Sequence, residues 1–312
     1  MLSYISLLFA AAIWGFAFVA QRKGMESLDP FTFNALRFAL GALCVWLLRC
    51  LRRKRAGHDA SLLNRAVISQ FWQGPLMLGV LLFLAVSLQQ TGMLWTGAGN
   101  AGFITGLYVV FVPIIGLFRG QRFRGWMLAA MALSVVGLAL LNRSAQLNVS
   151  LGNSLVLLGA VFWALHVQMI DKLTKERPSL DLALVQYLVC VLLSLAASLA
   201  YRANMDVGQA FGRVLWEGIQ TAFLPILYAG VMSVGIAFTL QLHAQKRVQP
   251  QAAAVILCLE AVFALLGGFL LLKESVNLFS ILGALALFGA MLISVLSDRR
   301  DFLIDKKGAV KT

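Results

Sequence analysis

Apolar residues in this chain do not alternate with polar ones, nor do they mark one face of otherwise polar helices; they fill whole stretches. The clearest is Pro250–Leu272, PQAAAVILCLEAVFALLGGFLLL, a 23-residue run with one charge in it. At about 1.5 Å per residue such a run crosses a bilayer core of roughly 30 Å. Cutting the chain where charges and turn residues appear predicts ten spans: Ser3–Ala20, Phe31–Leu48, Phe71–Thr91, Gly97–Phe118, Gly125–Leu141, Asn153–Ile170, Leu180–Ala200, Ile219–Leu242, Pro250–Leu272 and Asn277–Leu296. The fold class predicted is an all-α polytopic membrane protein. The first span matches the sixth and is followed by Arg22 and Lys23, so it reads as an uncleaved helix and not as a signal peptide.

The pattern repeats. A shift of 152 lays Ala85–Leu140 over Ala237–Leu292 without a gap, pairing Gln89 with Gln241, Leu107 with Leu259, Phe111 with Phe263 and Gly116 with Gly268. Tyr108 then stands opposite Glu260. A shift of 149 pairs Trp14 with Trp163 and sets Gln186 opposite Arg37. The chain divides into a unit over 3–141, a second over 153–296 and a basic tail over 297–312. Five spans per unit is odd, so the second copy enters the membrane from the opposite side. An inverted repeat of this kind is the architecture of many secondary transporters, with substrate bound near the midplane where the halves meet.

Composition agrees: 60% of residues are hydrophobic and 12% charged. The net charge of +13 is a matter of topology. Loops after the even-numbered spans, with the tail, hold 19 Lys and Arg, against six on the other side. The basic side is cytoplasmic by the positive-inside rule, which puts both termini there. No basic-and-aromatic module points to nucleic acid. Cys44, Cys50, Cys190 and Cys258 form no CxxC pair, and neither a metal site nor a cofactor is expected. HExxH, the nucleotide loop GxxxxGK[ST] and the GxSxG elbow are all missing from the sequence, so the reading is not an enzyme.

The candidate chemistry is therefore intramembrane polarity. Glu260 lies ten residues into its span, about 15 Å deep, where a charge is costly and by default functional. Ala253, Ala264 and Gly267 share its side, a small-residue strip suited to close helix contact. Arg37, seven residues past Pro30, can hold a carboxylate in bidentate fashion or serve structurally, with Asn34 three residues before it as a hydrogen-bonding companion. Trp14 and Trp163 sit deep in their spans and not in an interfacial belt. His166, Asn100 and Tyr108 can reach a cavity, and Gln89 and Gln241 should point inward. Pro113 is expected to kink span four, whereas His243 should be solvated. The candidate substrate-binding set is Trp14, Asn34, Arg37, Gln89, Asn100, Tyr108, Trp163, His166, Gln186, Gln241 and Glu260.

Three stretches, AAIWGFAFVAQRKG…DPFTFNALRF, LQQTGMLWTGAGNAGFITGLYVVFVPIIG and QAAAVILCLEAVFALLGGFLLLKESVNLFSILGALALFGAMLI, resemble the EamA-type branch of the drug/metabolite transporter superfamily. The resemblance runs from about Ser3 to Leu296. Its most specific parts are Leu259, Glu260, Phe263, Leu271, Lys273 and Glu274, with Trp14 in the opening helix. It implies ten helices, both termini inside, a bacterial inner-membrane location and transport of small metabolites such as amino acids. Three places depart from the pattern, the first being that proline in the first copy comes later, at Pro113, than the Ala-Pro pair of many members. Ala261 follows Glu260 where many members have proline, and Gln121 and Arg122 stand where a Lys-Glu pair is common. The expected function is alternating-access export of an amino acid or derivative, driven by a proton gradient or a counter-substrate, in the lipid bilayer. Opposite charges at Arg37 and Glu260 suit a zwitterion. An exporter of lipophilic cations is the alternative, ahead of a membrane enzyme or a channel.

Overall fold

A computed structural model describes residues 1–55, 73–121, 125–141, 150–203, 211–272 and 276–309. The loop over 56–70, Phe71, Arg122, the Lys273–Glu274 pair and Lys311 lie outside the described residues, as do the side chains of Arg299, Arg300, Lys306 and Lys307. Every regular element among the described residues is helical. Segment one is Leu2–Gly24, two Pro30–Arg55, three Gly74–Gly92, five Gly125–Leu141, six Leu151–Glu176, seven Ser179–Ala203 and ten Leu278–Ala309. Segment four has two pieces, Ala98–Gly106 and Tyr108–Phe118, and so has segment nine, Pro250–Leu257 and Glu260–Leu272. Segment eight joins α-helix Phe223–Leu227, π-helix Tyr228–Phe238 and α-helix Thr239–Ala244. Among the described residues nine segments are long and apolar enough to cross a membrane, and the 17-residue segment five is apolar but shorter.

Local chemistry sets the boundaries. Asp29 caps segment two, its Oδ1 accepting from the backbone of Phe31 at 3.1 Å and Thr32 at 2.9 Å, with Pro30 in the first turn. Ser150 and Asn277 cap segments six and ten in the same way. Segment four ends at Gly120, whose φ of 74° suits glycine, while the Gln121 amide reaches back 2.9 Å to the Gly116 carbonyl. Several expected boundaries move: segment two runs on from Leu48 to Arg55 and segment six from Ile170 to Glu176. Ile219 belongs to a separate short helix, Phe211–Thr221, because Pro225 has no N–H to continue the ladder into segment eight. Segment ten runs past the expected end at Leu296 into the basic tail as far as Ala309, with no Gly or Pro between Gly289 and Gly308.

Segment five packs along ten and two along seven. Segment three packs on six and seven, one on eight and nine, two on eight, and four on six. Exchanging every segment with the one five places on returns the same contacts. The start of segment one meets the end of ten, where the Tyr4 hydroxyl donates to Asp298 Oδ2 at 2.6 Å. Segments two and seven are clamped at both ends. Arg202 donates to Asp29 at 2.8 Å, and Arg49 pairs with Asp181.

Candidate functional site

Segments four and nine are broken at the same place in the repeat. The Leu107 amide turns back to Ile104 at 3.2 Å, and the Leu259 amide, 152 residues later, to Ile256 at 3.2 Å. Val110 to Leu107 and Val262 to Leu259 are likewise matched, at 2.9 and 3.0 Å. Each is a single tight i→i+3 turn inside an apolar helix. Proline is not the cause: Pro113 lies within the second piece of segment four, and segment nine has no proline near its break. The kink expected at Pro113 is thus placed at Leu107. The two breaks touch, with Cys258 Sγ donating to the Gly106 carbonyl at 3.3 Å, residues that the repeat itself equates. Each second piece opens beside the break with a polar side chain, Tyr108 in one and Glu260 in the other.

Segment one crosses nine at Glu260. A Cβ added to Gly15 would come within 2.6 Å of the Glu260 carbonyl and 2.7 Å of the Ala264 amide, and one on Gly267 would meet the Phe16 ring at 3.1 Å. The strip of Ala264 and Gly267 therefore faces segment one, and only glycine permits this approach.

Around the breaks lies a cavity of about 50 Å³, room for a few waters and too small for a metabolite. Its wall follows the repeat. Trp14 with Trp163, Phe18 with Val167, Val86 with Phe238, Gln89 with Gln241, Thr105 with Leu257 and Tyr108 with Glu260 all line it as matched pairs. Gln21, Arg37 and Ser233 line it without a matched partner.

Of the residues expected from sequence, Trp14, Arg37, Gln89, Tyr108, Trp163, Gln241 and Glu260 come together on this cavity. Asn34, His166, Gln186 and Asn100 do not line it. Asn34 stands behind Arg37 and accepts from its Nε at 2.9 Å. His166 and Gln186 are buried and bonded to each other at 2.9 Å. Asn100 lies in the first piece of segment four, half-buried. His243 is exposed. Sequence reasoning missed Phe18, Gln21, Val86, Thr105, Val167, Ser233, Phe238 and Leu257. Of these, Phe18, Val86, Val167, Phe238 and Leu257 differ from their repeat mates and carry no polar side-chain atom to draw attention. Phe238 is the hub of the aromatic wall, with ring centroids 4.7 Å from Trp14 and 5.8 Å from Trp163.

The charges here lack ionic partners. Glu260 is 5% exposed and its Oε1 accepts no hydrogen bond. Arg37 is 3% exposed, lies 5.1 Å from the Phe38 ring centroid, and meets no carboxylate among the described residues. Buried charges are ordinarily paired or neutralised. Two of opposite sign left unpaired on one cavity can receive a ligand that carries both. Thr105 Oγ1 and Gln241 Oε1, also on the wall, are buried without partners.

The two tryptophans are held differently. Trp163 Nε1 donates to Gln89 Oε1 at 2.7 Å, a side chain. Trp14 Nε1 donates to the Ser233 backbone carbonyl at 3.3 Å, inside the π-helix. The Tyr228 hydroxyl returns a bond to the Ile13 carbonyl at 3.0 Å, so segments one and eight are laced together at two points of the π-helix.

The EamA-like transporter family model matches residues 1–143 and again 150–296. An uncharacterized transporter of Archaeoglobus fulgidus is 29% identical over 93% of this chain and 82% of its own length. The uncharacterized transporter YoaV of Bacillus subtilis is 23% identical over 91% of this chain and 92% of its own. A solved crystal structure superimposes with a TM-score of 0.73 over 96% of this chain and 98% of that one; at 17% identity it speaks for the fold alone. This chain belongs to the EamA-like transporter family of the drug/metabolite transporter superfamily and is a multi-pass membrane transporter.

Proposed function

We infer that this protein is a secondary transporter that exports an amino acid or a close derivative by alternating access. The observation that carries this reading is the pair of unpaired, oppositely charged side chains, Arg37 and Glu260, on one buried cavity. A zwitterion satisfies both: its carboxylate takes the Arg37 guanidinium and its ammonium takes Glu260. The aromatic wall of Trp14, Trp163 and Phe238 suits an apolar side chain and a cation face. A lipophilic cation would use Glu260 and the rings but leave Arg37 buried with nothing to bind, which favours the zwitterion.

Ten helices in two inverted five-helix halves, with both termini cytoplasmic in a bacterial inner membrane, complete the reading. Its support is the family model matching twice, the exchange of packing contacts between halves, the matched breaks in segments four and nine, and Tyr4 meeting Asp298. Two halves able to trade conformations would open the cavity to one side and then the other. Widening is required, since the space now present is far below the roughly 300 Å³ of ordinary ligand sites. The drive is a proton gradient or exchange for a counter-substrate.

The test is counterflow of radiolabelled amino acids into proteoliposomes, alongside accumulation of a panel of amino acids in overproducing cells. Saturable counterflow of at least one amino acid, weakened chiefly through KM in Arg37→Ala, is expected. Transport of lipophilic cations undiminished in Arg37→Ala, with no amino acid moved, would overturn the reading.

A further inference from the structure

A second cavity lies beyond the first, along the same helices. It has a volume of about 630 Å³ and is lined by Met1–Tyr4 at the start of segment one, Asp171 and Lys175 in segment six, and residues 245–249 between segments eight and nine. Its walls continue those of the inner cavity turn by turn. Gln241 lines the inner space and Gln245, four residues on, the outer. Val167 lines the inner, and Asp171 and Lys175, four and eight residues on, the outer. Residues four apart share a helix face, so segments six and eight each offer one continuous stripe to both spaces. Between them stands Gln245, fully buried, its Nε2 donating to the Val167 carbonyl at 3.2 Å and its Oε1 unpartnered.

The charges of the outer cavity are unequal. Lys175 and Asp171 pair at 2.8 Å, whereas Lys246 and Arg247 form no ion pair among the described residues. The surplus is positive, in a volume well within the range of ligand sites.

We propose that this cavity is an antechamber on the transport path that holds solutes by their carboxylate at Lys246 and Arg247, with Gln245 as the partition between it and the central cavity. The proposal rests on the amino-acid reading above for the identity of the cargo, and on the shared helix faces for the path itself. The antechamber takes carboxylate-bearing solutes generally. It concentrates them by screened attraction, and discrimination follows at Arg37 and Glu260, past the partition. The unpartnered Gln245 Oε1 has nothing to lose when the side chain swings aside and can accept from a passing ammonium, so the partition opens at the expense of one hydrogen bond.

Two measurements on the full-length protein separate this idea from the function it builds on. Ser3, in the wall, is replaced in Ser3→Cys, and its modification by an uncharged maleimide is timed in nanodiscs of neutral lipid. N-acetylglycine, a carboxylate without an amine, should slow the labelling, and glycine methyl ester, an amine without a carboxylate, should not. Protection should vanish when Lys246→Gln and Arg247→Gln are added. Equal protection by the ester, none by N-acetylglycine, or protection that needs anionic lipid and ignores the solute would overturn the proposal, the last making this a headgroup site. In proteoliposomes the same double variant should raise KM about three- to tenfold for an amino acid presented at this end, the scale of one or two screened ion contacts, and leave KM from the opposite end unchanged. Equal change at both ends would also overturn it. Should N-acetylglycine protect while no amino acid is transported, the antechamber stands and the cargo reading fails.

Discussion

The two halves of this molecule agree in where their helices break and which positions line the cavity, and disagree in several of the side chains placed there and in one of the helices. Segments four and nine break at matched residues, touch through matched residues, and begin their second pieces with Tyr108 and Glu260. Segments three and eight, equally matched in sequence register, differ in kind. Three is regular α-helix throughout, while eight turns π over Tyr228–Phe238. The crossing point serves both halves at once, so a change on one side must fit the other. Side chains that face the cavity are under no such constraint, and each half presents its own charged group there: Arg37 from one, Glu260 from the other. A duplicated chain can thus bind an unsymmetrical solute inside a symmetrical frame.

The sharpest way to break this comparison is to take the charge from one member of the matched pair and the hydroxyl from the other. Glu260→Gln should lower counterflow by about tenfold or more, a loss of roughly 1.4 kcal/mol or greater in binding or barrier, whereas Tyr108→Phe should stay within about threefold. Comparable losses in both would mean that the centre works as a symmetrical unit and that the charge is incidental. Arg37→Ala should come next, and chiefly in KM, since a bidentate contact to the carboxylate is removed. Its repeat mate Gln186, turned away to His166, should tolerate Gln186→Ala with transport little changed.

Much of this arrangement was legible beforehand, for physical reasons. Apolar length marks membrane segments because lipid tolerates few charges, and the 152-residue register set Tyr108 opposite Glu260 before any coordinates. The inward aim of Gln89 and Gln241 followed from the cost of amides in lipid. The π turn of segment eight was not legible. YAGVMSVGIAF reads as well in α as in π, and its close approach to segment two, where a Cβ on Gly41 would crowd Val234, is a tertiary contact that the sequence pattern does not carry. The helical breaks escaped for a related reason: the proline that seemed to announce one lies elsewhere, and the turns at Leu107 and Leu259 are stabilised by each other across the interface. Val86, Val167 and Leu257 reach the cavity through position alone, which apolar residues in an apolar helix do not advertise.

Close approach offers a stability test of the same asymmetry. Gly15 meets the backbone of segment nine beside Glu260, whereas the matched position of segment six holds Ala164, fully buried. Gly15→Ala should cost about 1–3 kcal/mol by overpacking and lower the unfolding midpoint in detergent, with transport falling too because Glu260 is displaced. Ala164→Gly should cost about 1 kcal/mol or less through helix propensity. Equal shifts in midpoint would mean that the segment one–nine crossing has slack that its geometry does not suggest.

The smallest expected difference concerns the tryptophans. Trp163→Phe frees Gln89, whose amide can swing to other partners or to solute, so the cavity loses one bond worth about 1 kcal/mol and keeps its shape. Trp14→Phe instead takes from the Ser233 carbonyl the donor that reaches it from segment one, and a backbone carbonyl in a π-helix has no side-chain rotor with which to find another. The turn can then relax toward α-helix, shifting the register of Phe238 against the other rings. The two variants should therefore bind substrate with similar small losses and differ in turnover, Trp14→Phe being the slower by about two- to fivefold, a barrier change on the scale of a single hydrogen bond. Identical turnover in both would mean that the π turn holds without Trp14 and that the difference between segments three and eight has no part in the transport cycle.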